Sequence, residues 1–136
     1  MKYLIYVSTA VNLFSQDELG NLLAKSRANN SAHDITGLLL YHEGSFIQVL
    51  EGEAPVVDSV FEKIKTDKRH KHIITIANGA HHGRAFGDWS MGFHRATAKE
   101  MAELEAYTDP QKIKEWDQNE DHPAFTMLKT FVRTNL

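Results

Sequence analysis

Ile35-Thr36-Gly37-Leu38-Leu39-Leu40-Tyr41, then His42-Glu43-Gly44, then Ser45-Phe46-Ile47-Gln48-Val49-Leu50-Glu51 is the stretch whose reading decides the fold. Two apolar segments of strand length flank a triplet that holds a glycine, which predicts a β-hairpin closed by a tight turn. The second strand is interrupted by one amide. Phe46, Gln48 and Leu50 alternate onto one face, so Gln48 points among apolar side chains. Its carbonyl and NH₂ both need partners there, and an unpaired group costs about 1–3 kcal/mol. Something polar must face Gln48 inside the molecule.

Outward from the hairpin, a helix is predicted on each side. Upstream, residues 3–9 are rich in β-branched and aromatic types and read as a strand. Ser15 with Glu18 three residues later forms a capping box, and Leu19, Leu22, Leu23 and Ser26 follow at helical spacing. Asn29-Asn30 is the expected end of that helix, because asparagine tolerates the left-handed conformation. Downstream, Pro55 suits a first helical turn, and Val57, Val60, Phe61 and Ile64 make one apolar stripe. The run Lys65–His72 is cationic, as a helix C-terminus prefers. Ile73–Ala77 is a fourth strand, Asn78–Asp88 is a polar loop with three glycines, and Trp89–His94 is a short fifth strand.

The order β-α-β-β-α-β-β is α+β and fits the ferredoxin-like plan, with two helices on one face of a mixed sheet. It places strands one and three side by side, so Tyr6 and Gln48 are expected as neighbours on one face. Thr97 and Glu100 form a second capping box, opening a helix to about Tyr107. Ile113 and Trp116 follow after Asp109-Pro110, 117–123 is a polar break, and Phe125, Leu128, Phe131 and Val132 form a further stripe. Residues 1–96 are thus expected as one sheet domain and 97–136 as a helical appendage, which either covers the sheet's second face or mediates self-association.

Composition narrows the function. At 136 residues with 42% apolar side chains, the chain supports one domain with a real core. Residues 1–96 carry ten basic and ten acidic groups and residues 97–136 carry five and eight, so the net charge of −3 falls on the appendage. That balance offers no footing for nucleic acid. The absence of cysteine rules out disulfides, thiolate metal sites, cysteine nucleophiles and cysteinyl–flavin adducts. No run reaches membrane-span length and no signal peptide is evident, so a cytoplasmic protein is expected. The histidines at 70, 72, 81 and 82 lack a ligand spacing that would complete a metal site, and no hydrolase or nucleotide-binding motif occurs.

The residues left with chemistry to do are Tyr6, Asn29, Asn30, Gln48, Arg69, Trp89 and Met91. Each has an ordinary structural explanation alone, as core tyrosine, helix end, solvated cation or core filler. Together they resemble the BLUF domain, the blue-light sensor using flavin, over about residues 2–96. The resemblance is carried in order by Leu4-Ile5-Tyr6-Val7-Ser8, Ser26-Arg27-Ala28-Asn29-Asn30, Ile35-Thr36-Gly37-Leu38-Leu39 and Phe46-Ile47-Gln48-Val49-Leu50-Glu51-Gly52. Asp67-Lys68-Arg69-His70 and Phe86-Gly87-Asp88-Trp89-Ser90-Met91-Gly92-Phe93 complete it.

The resemblance implies a flavin held noncovalently between the two helices, flanked by Leu22 and Ile64. Asn30 would bond the ring at N3 and the 4-carbonyl, with Asn29 and Arg69 near the 2-carbonyl and Ser26 as a further contact. Tyr6 would bond Gln48, and Gln48 the ring at N5 or the 4-carbonyl. Under blue light Tyr6 would give up an electron and a proton. Recombination would leave Gln48 rotated or tautomerised and the absorption shifted to the red. Trp89 and Met91 would relay the change to residues 97–136. FAD is the family's flavin, though nothing in the sequence separates it from FMN or riboflavin. No output enzyme domain follows, so the chain resembles a short stand-alone member without substrate turnover, acting through a homo-oligomer or a separate signalling protein. The competing readings are a dark flavin oxidoreductase, for which no nicotinamide-contact region is found, and a cofactor-free ferredoxin-like interaction module.

Overall fold

The computed structural model describes residues 1–80, 83–87 and 90–105. It contains β1 (Lys2–Ala10), α1 (Gln16–Ala32), β2 (Thr36–His42), β3 (Ser45–Gly52), α2 (Ala54–Lys65), β4 (His70–Ala80), β5 (Gly92–Arg95) and α3 (Ala98–Glu105). The sheet order is β4-β1-β3-β2-β5. All pairs are antiparallel except β2 with β5. This is the expected mixed ferredoxin-like sheet, with β5 added beyond β2.

The hairpin closes as expected. Glu43 (φ 42°) and Gly44 (φ 89°) both lie in the left-handed region, the signature of the two-residue turn whose twist matches paired strands. Gly37 answers a different need. A Cβ there would lie 2.0 Å from the Val49 carbonyl oxygen, so only glycine lets β2 and β3 run this close.

The helices start where their signals stand. Ser15 Oγ accepts from the Glu18 N–H while Glu18 Oε1 accepts from the Ser15 N–H. Thr97 and Glu100 exchange the same pair at the start of α3. The helix end is different: α1 runs past Asn29-Asn30 to Ala32, and the left-handed residue is Asp34. The Asn30 carbonyl accepts from both His33 and Ile35 N–H groups, which closes the last turn a few residues later than the asparagines suggest.

β4 begins at His70, not Ile73, and ends at Ala80. It is an edge strand whose outer side meets water, so His70 and Lys71 pair with β1 without burying charge, and His72 (φ 54°) falls at the register shift before Ile74. β5 starts at Gly92, later than expected, and Met91 precedes it. Trp89 lies outside the described residues, as do the expected helices and stripe after residue 105.

Two apolar layers flank the sheet. On the helix side Leu4, Tyr6, Leu39, Phe46 and Leu50 pack with Leu19 and Leu23 of α1, Val57, Val60 and Phe61 of α2, and Met91. On the other side Ile5, Leu38, Leu40, Ile47 and Val49 pack with Phe86 and Ala96. Glu51 is fully buried in that second layer. Its carboxylate accepts from the N–H groups of Ala85 and Phe86 at 2.6 and 2.9 Å and from Thr36 Oγ1 at 3.1 Å. Arg84 donates in turn to Thr36 Oγ1 and the Asp34 carbonyl. One carboxylate thus anchors the start of the segment between β4 and β5. Glu51→Gln turns an NH₂ toward one of these donors and is expected to cost about 1–3 kcal/mol. A lower urea midpoint at unchanged slope is the measurement.

Candidate functional site

Register alone brings the central pair together. Tyr6 lies opposite Gln48 across β1 and β3, both side chains are buried at 4% and 6% exposure, and the Tyr6 hydroxyl donates to Gln48 Oε1. Gln48 Nε2 donates to Met91 Sδ at 3.5 Å. The amide whose partners the sequence demanded therefore takes a proton donor on one side and a soft sulfur acceptor on the other. Burial, with a smaller contribution from the Asp67 charge, pushes the Tyr6 phenol well above its ordinary range, so Tyr6 rests as a neutral phenol.

A cavity of about 390 Å³ opens above this pair, between α1 and α2. Tyr6, Leu39, Phe46 and Gln48 from the sheet line it, with Leu22, Lys25, Ser26, Asn29 and Asn30 from α1 and Val60, Lys63 and Ile64 from α2. Asp67 and Arg69 of the following turn, His70 at the start of β4, Ser8 of β1 and Phe14 also line it. Every residue expected to contact a cofactor lies on this one surface. The expected relay residue Met91 touches the cavity's floor through Gln48. Leu22 and Ile64, half-buried on facing helices, are apolar groups that a cofactor ring can cover.

The donor set suits a flavin ring. Asn30 spends one amide hydrogen on the Ser90 carbonyl at 2.9 Å. Its carbonyl and second hydrogen match the alternating N–H and C=O of an imide edge. The volume falls in the range of small-molecule pockets, and apolar walls with a few convergent polar groups are their usual make-up.

Arg69 lines the cavity with its guanidinium on Asp67, Nη2 to Oδ2 at 2.6 Å. Those hydrogen bonds hold the Asp67 carboxyl at about 2. A carboxyl depressed below its unfolded value stabilises the fold above the unfolded pKa, and that contribution is lost as pH falls through the folded one. The pair is solvent-screened, so Asp67→Asn is expected to cost under about 1 kcal/mol at neutral pH. The gap from the unmodified protein in urea midpoint should close between about pH 4 and pH 2.

Several groups escaped sequence reasoning. His70 braces the cavity: its Nε2–H donates to the Ile64 carbonyl at 2.7 Å, which leaves Nδ1 to accept from Ser8 Oγ at 2.9 Å. The signal was Ser8, two residues from Tyr6 on the same face. Lys25 and Lys63 were unmarked because an exposed lysine on a helix is ordinary. Among the described residues no histidine and carboxylate cluster could hold a metal, and no helix is long and apolar enough to cross a membrane.

The fold and site define a class: a ferredoxin-like α+β domain with a cofactor-sized cleft between two helices and a hydrogen-bonded tyrosine–glutamine pair on its floor. The chain belongs to the BLUF family, sensors of blue light using FAD, whose model matches residues 1–92. It is similar to the alpha subunit of photoactivated adenylate cyclase of Euglena gracilis, 37% identical over 84 residues, 62% of this chain and 8% of that protein. It is 33% identical over 93 residues to the beta subunit of Euglena longa, 67% of this chain and 11% of that protein. Of solved structures, BlrB, a BLUF protein in its dark state, superposes with TM-score 0.74 at 26% identity, over 99% of this chain and 96% of that one. A bacterial light-regulated adenylyl cyclase gives TM-score 0.69 at 31% identity, over 85% of this chain and 35% of that one. The chain therefore spans about a tenth of these Euglena relatives. Membership makes it a flavin-using sensor of blue light.

Proposed function

We propose that Tyr6 and Gln48 are the photoactive pair of this sensor and that residues 97–136 carry its output. The observation behind this is the buried relay from the Tyr6 hydroxyl through Gln48 to Met91 on the cavity floor. When bound, the flavin supplies blue-light absorption and an excited state that oxidises a phenol. With the flavin bound as electron acceptor, Tyr6 would give up one electron to it and its hydroxyl proton along the bond already made to Gln48 Oε1. Both return to Tyr6 on recombination, so no net chemistry remains. Gln48 carries donor and acceptor on one short arm, so its rearrangement changes what it offers the cavity and withdraws the donor from Met91.

Asn30 holds the imide edge, Asn29 and Arg69 stand by the ring's other carbonyl, Ser26 adds a contact, and Leu22 and Ile64 flank the ring. Binding is noncovalent, as the family resemblance implies, and without cysteine no cysteinyl adduct can form. Lys25 and Lys63, cations from two helices on the cavity wall, favour a phosphorylated flavin over riboflavin, and FAD is the flavin the family's description names. The domain itself turns over no substrate; residues 1–96 sense, and 97–136 act through a homo-oligomer or a separate signalling protein.

One absorption spectrum before and after blue light, with chromatography of the released flavin, tests this reading. A yellow protein with a reversible red shift and FAD in the extract is expected. A yellow protein bleached only by a reductant points to a dark oxidoreductase. A protein that stays colourless after incubation with flavin points to an interaction module.

A further inference from the structure

Met91 is where the photoactive pair meets the rest of the molecule. Its side chain is 1% exposed and accepts from Gln48. Gly37 lies beside it: a Cβ there would come within 3.4 Å of Met91 Cε. Its backbone is held from a different element. Arg27 of α1 donates from Nε to the Met91 carbonyl at 2.9 Å, and Asn30, one turn on, holds the Ser90 carbonyl. These two carbonyls bond to side chains of α1.

The far end of the same segment is fixed. Ala85 and Phe86 are bound to the buried Glu51 carboxylate, and Arg84 to Thr36 and Asp34. Motion that begins at Met91 is therefore confined to the 90–91 end, where the attachments are side chains of α1. Asn30 is committed to the cavity. Arg27 is not among the residues lining it and touches neither Tyr6 nor Gln48.

We infer that Arg27 is a positioning residue that holds the Met91 backbone in its dark arrangement and sets the rate of return after light. The inference rests on the Gln48 rearrangement proposed above. Once Gln48 withdraws its donor, the thioether loses its hydrogen bond and the backbone at Met91 shifts off Arg27. Return requires that charge-assisted bond to re-form, and its formation pulls the segment back.

The test follows the red-shifted absorbance in the dark, on flavin-loaded protein, for Arg27→Gln, Arg27→Lys, Met91→Leu and the Arg27→Gln/Met91→Leu double variant. Arg27 is exposed on a helix, and glutamine and lysine have similar helix propensity to arginine. Arg27→Gln should reach the full red shift and recover roughly fivefold more slowly, the loss of one such bond. Arg27→Lys, which keeps a cationic donor, should restore part of the rate. In the Met91→Leu background Arg27→Gln should change recovery by less than about twofold, because the coupling runs through the thioether. An unchanged rate in Arg27→Gln overturns the inference, as does equal slowing with and without Met91. Absence of any red shift in the unmodified protein overturns the photochemical reading itself, and this inference with it.

Discussion

Tyr6→Phe is expected to leave a yellow, flavin-loaded protein with no light-induced red shift. The ring stays against Phe61, 5.2 Å between centroids in the native pair, so the apolar packing survives. What disappears is the hydroxyl that donates to Gln48. Burial keeps that phenol neutral, so in the native protein electron and proton leave together. Oxidation turns a phenol into a strong acid, and the proton already has an acceptor in Gln48 Oε1. Phenylalanine offers neither an easily removed electron nor a proton. Flavin fluorescence should rise, because the quenching donor is gone. The lost hydrogen bond should lower stability by about 1 kcal/mol, a small effect beside the complete loss of photocycling. A normal red shift in Tyr6→Phe removes Tyr6 from the mechanism.

The reach of the sequence followed the range of the interactions. The contact of Tyr6 with Gln48 was legible because it needs only strand adjacency and the period of two, both carried by the hairpin and the order of elements. The start of α1 was legible because Ser15 and Glu18 are three residues apart. Its end was not, since Asn29-Asn30 looks the same in a final turn as one turn earlier, and the bonds that decide it come from His33 and Ile35. The start of β5 was misplaced for a longer-range reason. Arg27 and Asn30 take the carbonyls of Met91 and Ser90 from 64 and 60 residues away in sequence. No local pattern marks that. Glu51 was hidden in the same way: its alternation places it in an apolar layer, while its donors come from a loop 34 and 35 residues on.

The cavity-lining residues divide along the same line. Gln48 stood out because an amide in a buried position demands partners, whereas Asn30 read as a helix end and gained its role only from the family resemblance. Lys25 and Lys63 become notable only when the fold brings two helices to one cavity. His70 was weighed as a metal ligand, and in the structure its two nitrogens serve Ser8 and the Ile64 carbonyl. In the proposed mechanism the sheet carries the photochemistry while α1 and α2 wall the cavity, and of these two helices α1 also holds the Ser90 and Met91 carbonyls. That double attachment makes α1 the element through which cavity and output can sense each other.

Gln48→Leu separates the chemistry of Tyr6 from the switch. Leucine fills a similar space between Phe46 and Leu50 on the same face, and Asn29, Asn30, Ser26 and Arg69 remain on the cavity wall. Flavin binding is therefore expected to persist. Tyr6 keeps its hydroxyl but loses the acceptor, and the buried hydroxyl left without its partner should cost about 1–3 kcal/mol. Met91 Sδ loses only a weak donor. Electron transfer from Tyr6 still has its donor, so transient absorption should still show tyrosine oxidation, followed by return to the starting spectrum. No stable red shift can follow, because nothing on the floor of the cavity changes its hydrogen bonding between the two states. Tyr6→Phe and Gln48→Leu thus give the same steady-state spectrum with opposite transients: no oxidation in the first, oxidation without a lasting product in the second. A stable red shift in Gln48→Leu means that the lasting change is stored elsewhere, and the assignment of Gln48 as the switch then falls while Tyr6 keeps its role.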